Sequence, residues 1–165
     1  MRMRTLTFAA SVALTAAIVI PSTVAAAWPI VSGSSFVSQW YSSAHRAIDI
    51  AATQGTHVVP IGNGTVVFAG DKSNCGGYQV WVRNRDVYSA YYHLSRVLVR
   101  RGQVVTGQRT VLGTVGQTGC ASGPHTHVEV WTHWPWASGS VRLNPWGFID
   151  RGWYLPTRYG GSVPS

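Results

Sequence analysis

Short apolar segments recur along this chain, and glycines or other turn residues separate them. The clearest cover residues 47–51, 64–70, 78–83, 87–93, 110–116 and 125–131. β-Branched and aromatic residues dominate these segments, which predicts β-strands, and helical periodicity is weak from residue 28 onwards. We therefore predict a single all-β domain.

The segments that flank the predicted strands differ in composition. Residues 28–44 are rich in Ser and Gly, with Trp and Tyr among them, which predicts a loop or surface arm. The folded domain is expected to span 45–150, and 151–165 is expected to form a C-terminal tail. One domain of this size suits a chain of 165 residues.

The N-terminus has the pattern of a secretory signal peptide over 1–27. Arg2 and Arg4 precede an uncharged apolar run over 6–20, and the alanines at 25–27 supply a small-residue cleavage site. An uncleaved membrane anchor is the alternative, but this run is short for a bilayer crossing. We expect a secreted protein, extracellular or in the cell wall, without stable membrane association after cleavage.

The chain is basic, with a formal net charge of +8, which becomes 8 − 2 = +6 once the two arginines of 1–27 are removed. A basic exported protein can bind an anionic polymer or surface. Export argues against nucleic acid as the partner and favours a negatively charged cell envelope. Charge that serves solubility alone remains an alternative.

Cys75 and Cys120 are the two cysteines of the chain. An even pair in an exported protein predicts a disulfide bond, which here would close a long loop.

Two histidines stand one residue apart in the stretch SGPHTHVEVW, at the start of a predicted strand. Alternate side chains of a strand share a face. His125, His127 and Glu129 are therefore expected on one face, and Thr126 and Val128 on the opposite, apolar face. The two imidazoles should project together, away from the core.

A second candidate lies upstream, in AHRAIDIAA. Ile48 and Ile50 flank Asp49 and are expected to face the core, so Asp49 should face the other way, and His45 has the same parity. Two imidazoles and one carboxylate are a common ligand set for catalytic Zn²⁺, with water in the fourth position. The spacing alone is weakly specific, so a chance arrangement remains open.

His93 ends an aromatic segment, AYYHLS. Taken alone, it is better explained as a histidine packed against Tyr91 or Tyr92 and satisfied by a backbone group than as a functional residue.

Taken together, three motifs resemble the M23 family of zinc metallopeptidases, of the lysostaphin/LytM type, in their order and spacing. The motifs are His45-x-x-x-Asp49, Tyr92-His93-Leu94-Ser95 and Gly123-Pro124-His125-x-His127. The closing LNPWGFI also resembles an element of that family. The resemblance covers about 44–149, most of the chain after the predicted signal peptide.

The resemblance implies roles for individual residues. His45, Asp49 and His127 would bind one Zn²⁺, and His93 and His125 would be catalytic histidines that do not bind it. The implied fold is the antiparallel LytM/lysostaphin domain. The implied activity is that of a secreted, monomeric zinc metalloendopeptidase that hydrolyses peptide bonds of bacterial peptidoglycan stems or cross-bridges. The alternative is a catalytically inactive M23-like module that binds peptidoglycan and regulates another wall hydrolase.

Three further positions bear on this resemblance. Ala47 stands where the family usually has glycine, which matters if that backbone needs a positive φ. Tyr41 is the nearest candidate for a tyrosine that some members use to stabilise the transition state. Glu129 either orients a metal ligand or forms a salt bridge with an arginine, and we favour the salt bridge.

The stretch VRRGQVVTGQ also resembles biotinyl and lipoyl carrier domains. Those domains need a modifiable lysine at a hairpin tip. Lys72 is the single lysine of the chain, and export argues against that modification.

Overall fold

Residues 27–31 and 33–149, which the computed structural model describes, form β-strands and one short α-helix. The strands are β1 (Ile30–Val31), β2 (Ser35–Gln39), β3 (Ile48–Ala52), β4 (His57–Val58), β5 (Gly64–Asp71), β6 (Tyr78–Asn84), β7 (Val87–Leu94), β8 (Arg96–Val97), β9 (Val104–Val105), β10 (Gly113–Thr114), β11 (His125–Trp131) and β12 (Arg142–Leu143). The helix α1 covers Trp146–Ile149. No helix within these described residues is long and apolar enough to cross a bilayer. The predicted signal peptide, except Ala27, and the predicted C-terminal tail lie outside them.

Two antiparallel sheets make up the domain. The larger has the strand order β2-β3-β11-β7-β6-β5-β9, with β12 paired to the end of β11. The smaller has the order β1-β4-β10-β8. The prediction of an all-β antiparallel domain is confirmed, with the strands divided between two sheets.

The segment 28–44 differs from the sequence prediction. It was expected to be a loop or arm, but it contains β1 and the edge strand β2, which pairs with β3. Most of β2 is exposed or half-buried, so its side chains lack the apolar alternation that marks a strand with one buried face. The predicted strand over 110–116 is also reduced, to Gly113–Thr114.

Strands β3 and β11 separate apolar from polar side chains by simple alternation. Val128 lies opposite Ile48 and Thr126 lies opposite Ile50, and all four are fully buried. Ile48, Ile50 and Val128 belong to the main hydrophobic cluster, which also includes Val58 of the smaller sheet. The predicted apolar face of β11 is therefore the core face, and the histidines lie on the other side.

The opposite face of the large sheet is also partly covered, beside the histidines. Trp81, Ala90, Tyr92 and Trp131 form a second, smaller cluster of buried side chains. Alternation places Trp131 on the same face of β11 as His127, and this cluster explains why Trp131 is only 4% exposed.

Thr126 generates a prediction for stability. Its side chain is fully buried on the core face, and among the described residues its hydroxyl has no hydrogen-bond partner. An unsatisfied buried hydroxyl is destabilising, so Thr126→Val is expected to raise the free energy of unfolding by about 1 kcal/mol. Urea denaturation monitored by tryptophan fluorescence measures the change in midpoint.

Thr114→Val is the matched control. Thr114 is also buried, but its hydroxyl lies 2.9 Å from the Ser95 hydroxyl, so removing it should lower stability. A Thr126→Val protein that is less stable than the wild type would show that the hydroxyl is satisfied.

Candidate metal centre

The pairing of β3 with β11 places His127 directly opposite Asp49. His127 Nδ1 lies 2.7 Å from Asp49 Oδ1. His45, just before β3, brings its Nε2 to 3.2 Å from the same carboxylate oxygen and 3.3 Å from His127 Nδ1. The three side chains expected from the sequence to converge are thus brought together.

The distances between these donors suit a small metal ion. Four-coordinate zinc with bonds of about 2.0–2.1 Å separates neighbouring ligand atoms by about 3.3 Å. The distances of 3.2 and 3.3 Å match this value, and the 2.7 Å between His127 and Asp49 is a hydrogen bond. The group His45, Asp49 and His127 can therefore hold a metal ion with little rearrangement.

Hydrogen bonds determine which nitrogen of each ligand imidazole faces the centre. His45 Nδ1 lies 3.2 Å from the Trp40 carbonyl oxygen, and His127 Nε2 lies 3.5 Å from Glu129 Oε1. Both oxygens are acceptors, so these nitrogens carry the proton. With a metal bound in place of the proton on His127 Nδ1, His45 Nε2 and His127 Nδ1 would present their lone pairs to the centre.

The ionisation of the metal-free centre follows from its contacts. Burial lowers the pKa of His127, but its hydrogen bonds to Asp49 and Glu129 outweigh burial and raise that pKa to about 9. Burial raises the pKa of Asp49, but the hydrogen bond and the positive charge of His127 together bring it below its ordinary value. The metal-free pair is therefore an imidazolium and a carboxylate at neutral pH, and a bound metal must displace the imidazolium proton.

Glu129 is 1% exposed and lies under the centre. It accepts hydrogen bonds from the Tyr92 hydroxyl at 2.7 Å, from Trp131 Nε1 at 2.8 Å and from Arg142 Nη1 at 3.2 Å. Burial raises the pKa of Glu129, but its hydrogen bonds to His127 and Tyr92 lower it below the ordinary value. Glu129 thus forms the salt bridge to an arginine that we favoured, and it also lies 3.5 Å from His127 Nε2.

His125 lies at the start of β11, beside the centre. Its Nδ1 is 2.8 Å from the Gly123 carbonyl oxygen, so that nitrogen carries the proton and Nε2 has the free lone pair. His125 Nε2 lies 3.9 Å from Asp49 Oδ2. This imidazole therefore adjoins the metal-binding group and turns its Nε2 towards it.

His93 reaches the centre through an unusual backbone conformation. Strict alternation would put His93 and Tyr92 on opposite faces of β7, but His93 has a φ of 62°, in the left-handed region. Its ring centroid lies 4.8 Å from that of His125 and 5.8 Å from that of His127. Non-glycine residues in this region are uncommon, and they cluster at functional sites. The alternative weighed for His93 holds in part: a backbone group satisfies its Nδ1, but its ring lies beside the imidazoles of His125 and His127.

Two loops hold the His93 imidazole and backbone. His93 Nδ1 lies 2.8 Å from the Thr118 carbonyl oxygen, and the His93 N–H donates to the Gly76 carbonyl at 2.9 Å. The Nδ1 proton leaves Nε2 unprotonated, and burial lowers the pKa of His93, which favours the neutral ring.

The disulfide joins these same two loops. The predicted Cys75–Cys120 bond is present, and the Cys120 N–H also donates to the Cys75 carbonyl at 2.9 Å. Gly119 has a φ of 71°, and a Cβ there would collide with the Cys75 carbonyl, so the close approach of the loops requires glycine.

Tyr41, Ala47 and Lys72, the other positions singled out in the sequence, lie in three different environments. The Tyr41 hydroxyl donates to the Arg142 carbonyl at 3.3 Å, a contact with the backbone of β12 instead of with the metal-binding group. Ala47 is fully buried and does not have a positive φ, so this position does not need glycine. The Lys72 ammonium lies over the rings of Phe68 and Trp81, at 4.9 and 4.8 Å.

Sequence reasoning missed the oxygens that orient the imidazoles and the partners of Glu129. The Trp40, Gly123 and Thr118 carbonyls belong to the backbone, which carries no residue-specific signal. The sequence did not indicate Arg142 as the partner of Glu129 either. Arg142 comes to lie opposite Trp131 only through the folded turn between β11 and β12. The register of β12 on β11 is a property of the folded chain.

Known proteins that resemble this chain in sequence include peptidases. Peptidoglycan DD-endopeptidase ShyA of Vibrio cholerae is 39% identical over 87 residues, which cover 52% of this chain and 20% of that protein. The chain spans about a fifth to a quarter of the length of the first curated relatives it matches.

Solved structures share the fold. The catalytic domain of the antimicrobial peptidase lysostaphin from Staphylococcus simulans has a TM-score of 0.57 and 29% identity, covering 64% of this chain and 78% of that one. A catalytic-domain variant of the prophage-encoded M23 protein EnpA from Enterococcus faecalis has a TM-score of 0.56 and 28% identity, covering 70% of this chain and 87% of that one.

The sequence profile of peptidase family M23 matches residues 43–145, which is more than half of the chain. The match includes His45, Asp49 and His127, which can hold a metal ion, and the neighbouring His93 and His125. The chain therefore belongs to peptidase family M23.

Proposed function

We propose that this protein is a secreted zinc metalloendopeptidase that hydrolyses peptide bonds of bacterial peptidoglycan. One observation carries the proposal: His45, Asp49 and His127 converge at metal-binding distances, and beside them lie two further imidazoles whose Nδ1 atoms are hydrogen-bonded to backbone carbonyls. The names of the relatives, which include peptidoglycan DD-endopeptidases and a lysostaphin-type peptidase, support the substrate class.

The donor set favours zinc. Two imidazole nitrogens and one carboxylate oxygen are a common set for catalytic zinc, and they leave one position open. The zinc would be held by His45 Nε2, Asp49 Oδ1 and His127 Nδ1. When bound, zinc supplies a Lewis acid that polarises the scissile carbonyl and lowers the pKa of a water molecule to about 7.

His93 and His125 would handle the protons. Each has Nδ1 committed to a backbone carbonyl, so each can accept a proton at Nε2. One of them takes the proton of the attacking water and returns it to the leaving amine. The other, when it carries a proton taken up from solvent at Nε2, would donate a hydrogen bond to the carbonyl oxygen as negative charge develops there.

The inactive regulatory module is the competing proposal for a domain of this fold. A module of that kind has no need for a complete set of ligands and neighbouring imidazoles. All five side chains are present here, and each imidazole is held by a hydrogen bond to a protein oxygen. We therefore favour the enzyme.

The two histidines of the H-x-H pair should respond differently to substitution. His127→Ala removes a metal donor, so it is expected to lose zinc and all activity. His125→Ala removes a proton carrier, so it should keep the wild-type zinc content and lose about 10²–10⁴-fold in kcat. Elemental analysis of the purified variants and release of peptides from isolated cell walls measure the two effects.

Loss of zinc from His125→Ala would show that the division of roles within the pair is wrong. Wild-type protein that binds zinc but releases no peptide from walls, with or without a chelator, would favour the regulatory module.

Glu129 is expected to act on the metal through His127. Glu129→Gln keeps the size of the side chain but removes the charge that orients the His127 Nε2–H, so zinc affinity should fall about 10–100-fold. Competition with a chromophoric chelator measures this affinity. Asp86→Asn, which removes an exposed carboxylate elsewhere, is the control for net charge. Equal affinities of Glu129→Gln and the wild type would reduce Glu129 to a structural salt bridge.

The disulfide is expected to support turnover and not metal binding. The double variant Cys75→Ser/Cys120→Ser releases the loops that hold His93, and a displacement of about 1 Å can cost up to about 100-fold in rate. We expect a lower kcat with unchanged zinc content, measured at a temperature at which circular dichroism shows the variant folded. An unchanged kcat would mean that the loops hold His93 without the covalent link.

A further inference from the structure

A groove of about 380 Å³ opens on the same face of the sheet as the metal centre. Two arginines, Arg46 and Arg142, and two tryptophans, Trp131 and Trp136, line it together with small residues of the turn between β11 and β12. Arg46 directly follows His45, and Arg142 contacts Glu129, which in turn contacts His127. The groove therefore adjoins the metal-binding group on two sides, next to His45 through Arg46 and next to His127 through Glu129 and Arg142.

Arg142 is held in a fixed position in this groove. It lies directly across from Trp131 in the β11–β12 pair, with its guanidinium 5.4 Å from the Trp131 ring centroid and 5.1 Å from that of Trp136. One of its nitrogens donates to Glu129 at 3.2 Å. A guanidinium has five N–H donors, and the side chain is 30% exposed. A stacked, partly exposed guanidinium with spare donors is suited to bind an anion.

Arg46 supplies a second positive charge without a protein partner. It is exposed, and within residues 27–31 and 33–149 it has no ion pair or hydrogen bond through its side chain. No acidic side chain in this part of the chain lines the groove. The nearby carboxylates are already committed, Asp49 to the histidines and Glu129 chiefly to Arg142 and its aromatic neighbours.

Trp136 forms an exposed wall of the groove. It is 58% exposed and has a φ of 65°, a conformation that costs free energy for a bulky residue. Its indole N–H donates to the Tyr92 hydroxyl at 3.4 Å, and its ring centroid lies 5.0 Å from that of Trp131. These contacts hold a large apolar surface beside the two arginines.

We propose that this groove binds a free carboxylate of the peptide substrate and so selects acidic peptide stems over neutral cross-bridges. The planar guanidinium matches a carboxylate through paired hydrogen bonds, and the tryptophan faces contact the adjoining peptide. A neutral peptide has no carboxylate to neutralise Arg46 or to accept the spare donors of Arg142. The inference rests on the proposed function and names the substrate class of the same site.

Two synthetic stem peptides of one sequence test it, one with free carboxylates and one with every carboxyl group amidated. Wild-type protein is expected to hydrolyse the acidic peptide with a kcat/KM about tenfold higher than that of the amidated one, since one charge-assisted contact has about this effect. In Arg46→Gln the ratio of the two kcat/KM values should fall towards one, chiefly through KM. Arg109→Gln, in the turn after β9 and outside the groove, carries the same change of charge and should keep the wild-type ratio.

Binding of the same peptides to chelator-treated protein, followed by tryptophan fluorescence, separates this inference from the proposed function. If the wild type binds the acidic peptide more tightly and Arg46→Gln loses this preference, the groove assignment is supported. It is supported even if neither peptide is hydrolysed. The absence of hydrolysis would overturn the proposed function alone. Hydrolysis of both peptides at equal rates, or the same preference in Arg46→Gln as in the wild type, would overturn the inference and leave the peptidase activity standing.

Discussion

The antiparallel pairing that sets His127 opposite Asp49 is the constraint on which the rest of the site depends. The same register buries Val128 against Ile48 on the other face. A slip of one residue would exchange the two faces, exposing the apolar side chains and burying the imidazoles. Burial of the core therefore secures the polar centre, and it offsets the cost of bringing a carboxylate and several imidazoles close together in a partly buried place.

Hydrogen-bond acceptors then assign the imidazoles their roles. His127 turns Nε2 towards a carboxylate and Nδ1 towards the centre, whereas His125, two residues earlier on the same face, turns Nδ1 towards a backbone carbonyl and leaves Nε2 free. Two chemically identical side chains on one strand thus present different nitrogens. His93 adds a third arrangement, in which a left-handed backbone brings in an imidazole from the neighbouring strand β7.

The face that carries the metal-binding group continues into a network of buried and half-buried aromatic and charged side chains. Glu129 lies at its junction, since it contacts His127 on one side and Arg142 on the other. Because Arg142 is stacked on tryptophans that line the adjoining groove, the groove and the centre share a rigid support. Binding of a substrate in the groove and hydrolysis at the centre would then take place on one face of a single sheet.

Local sequence was sufficient for the long central strands and for the sides on which their residues lie, because alternation with a period of two is a property of neighbouring positions. It predicted the faces of β3 and β11, and the disulfide from a pair of cysteines in a chain with an export pattern. It did not predict the edge strand β2, whose polar residues show no alternation, or the conformation of His93. Only the tertiary structure decided which oxygens orient the imidazoles and that Arg142 stacks on Trp131, because these contacts depend on strand register and loop geometry between residues distant in sequence.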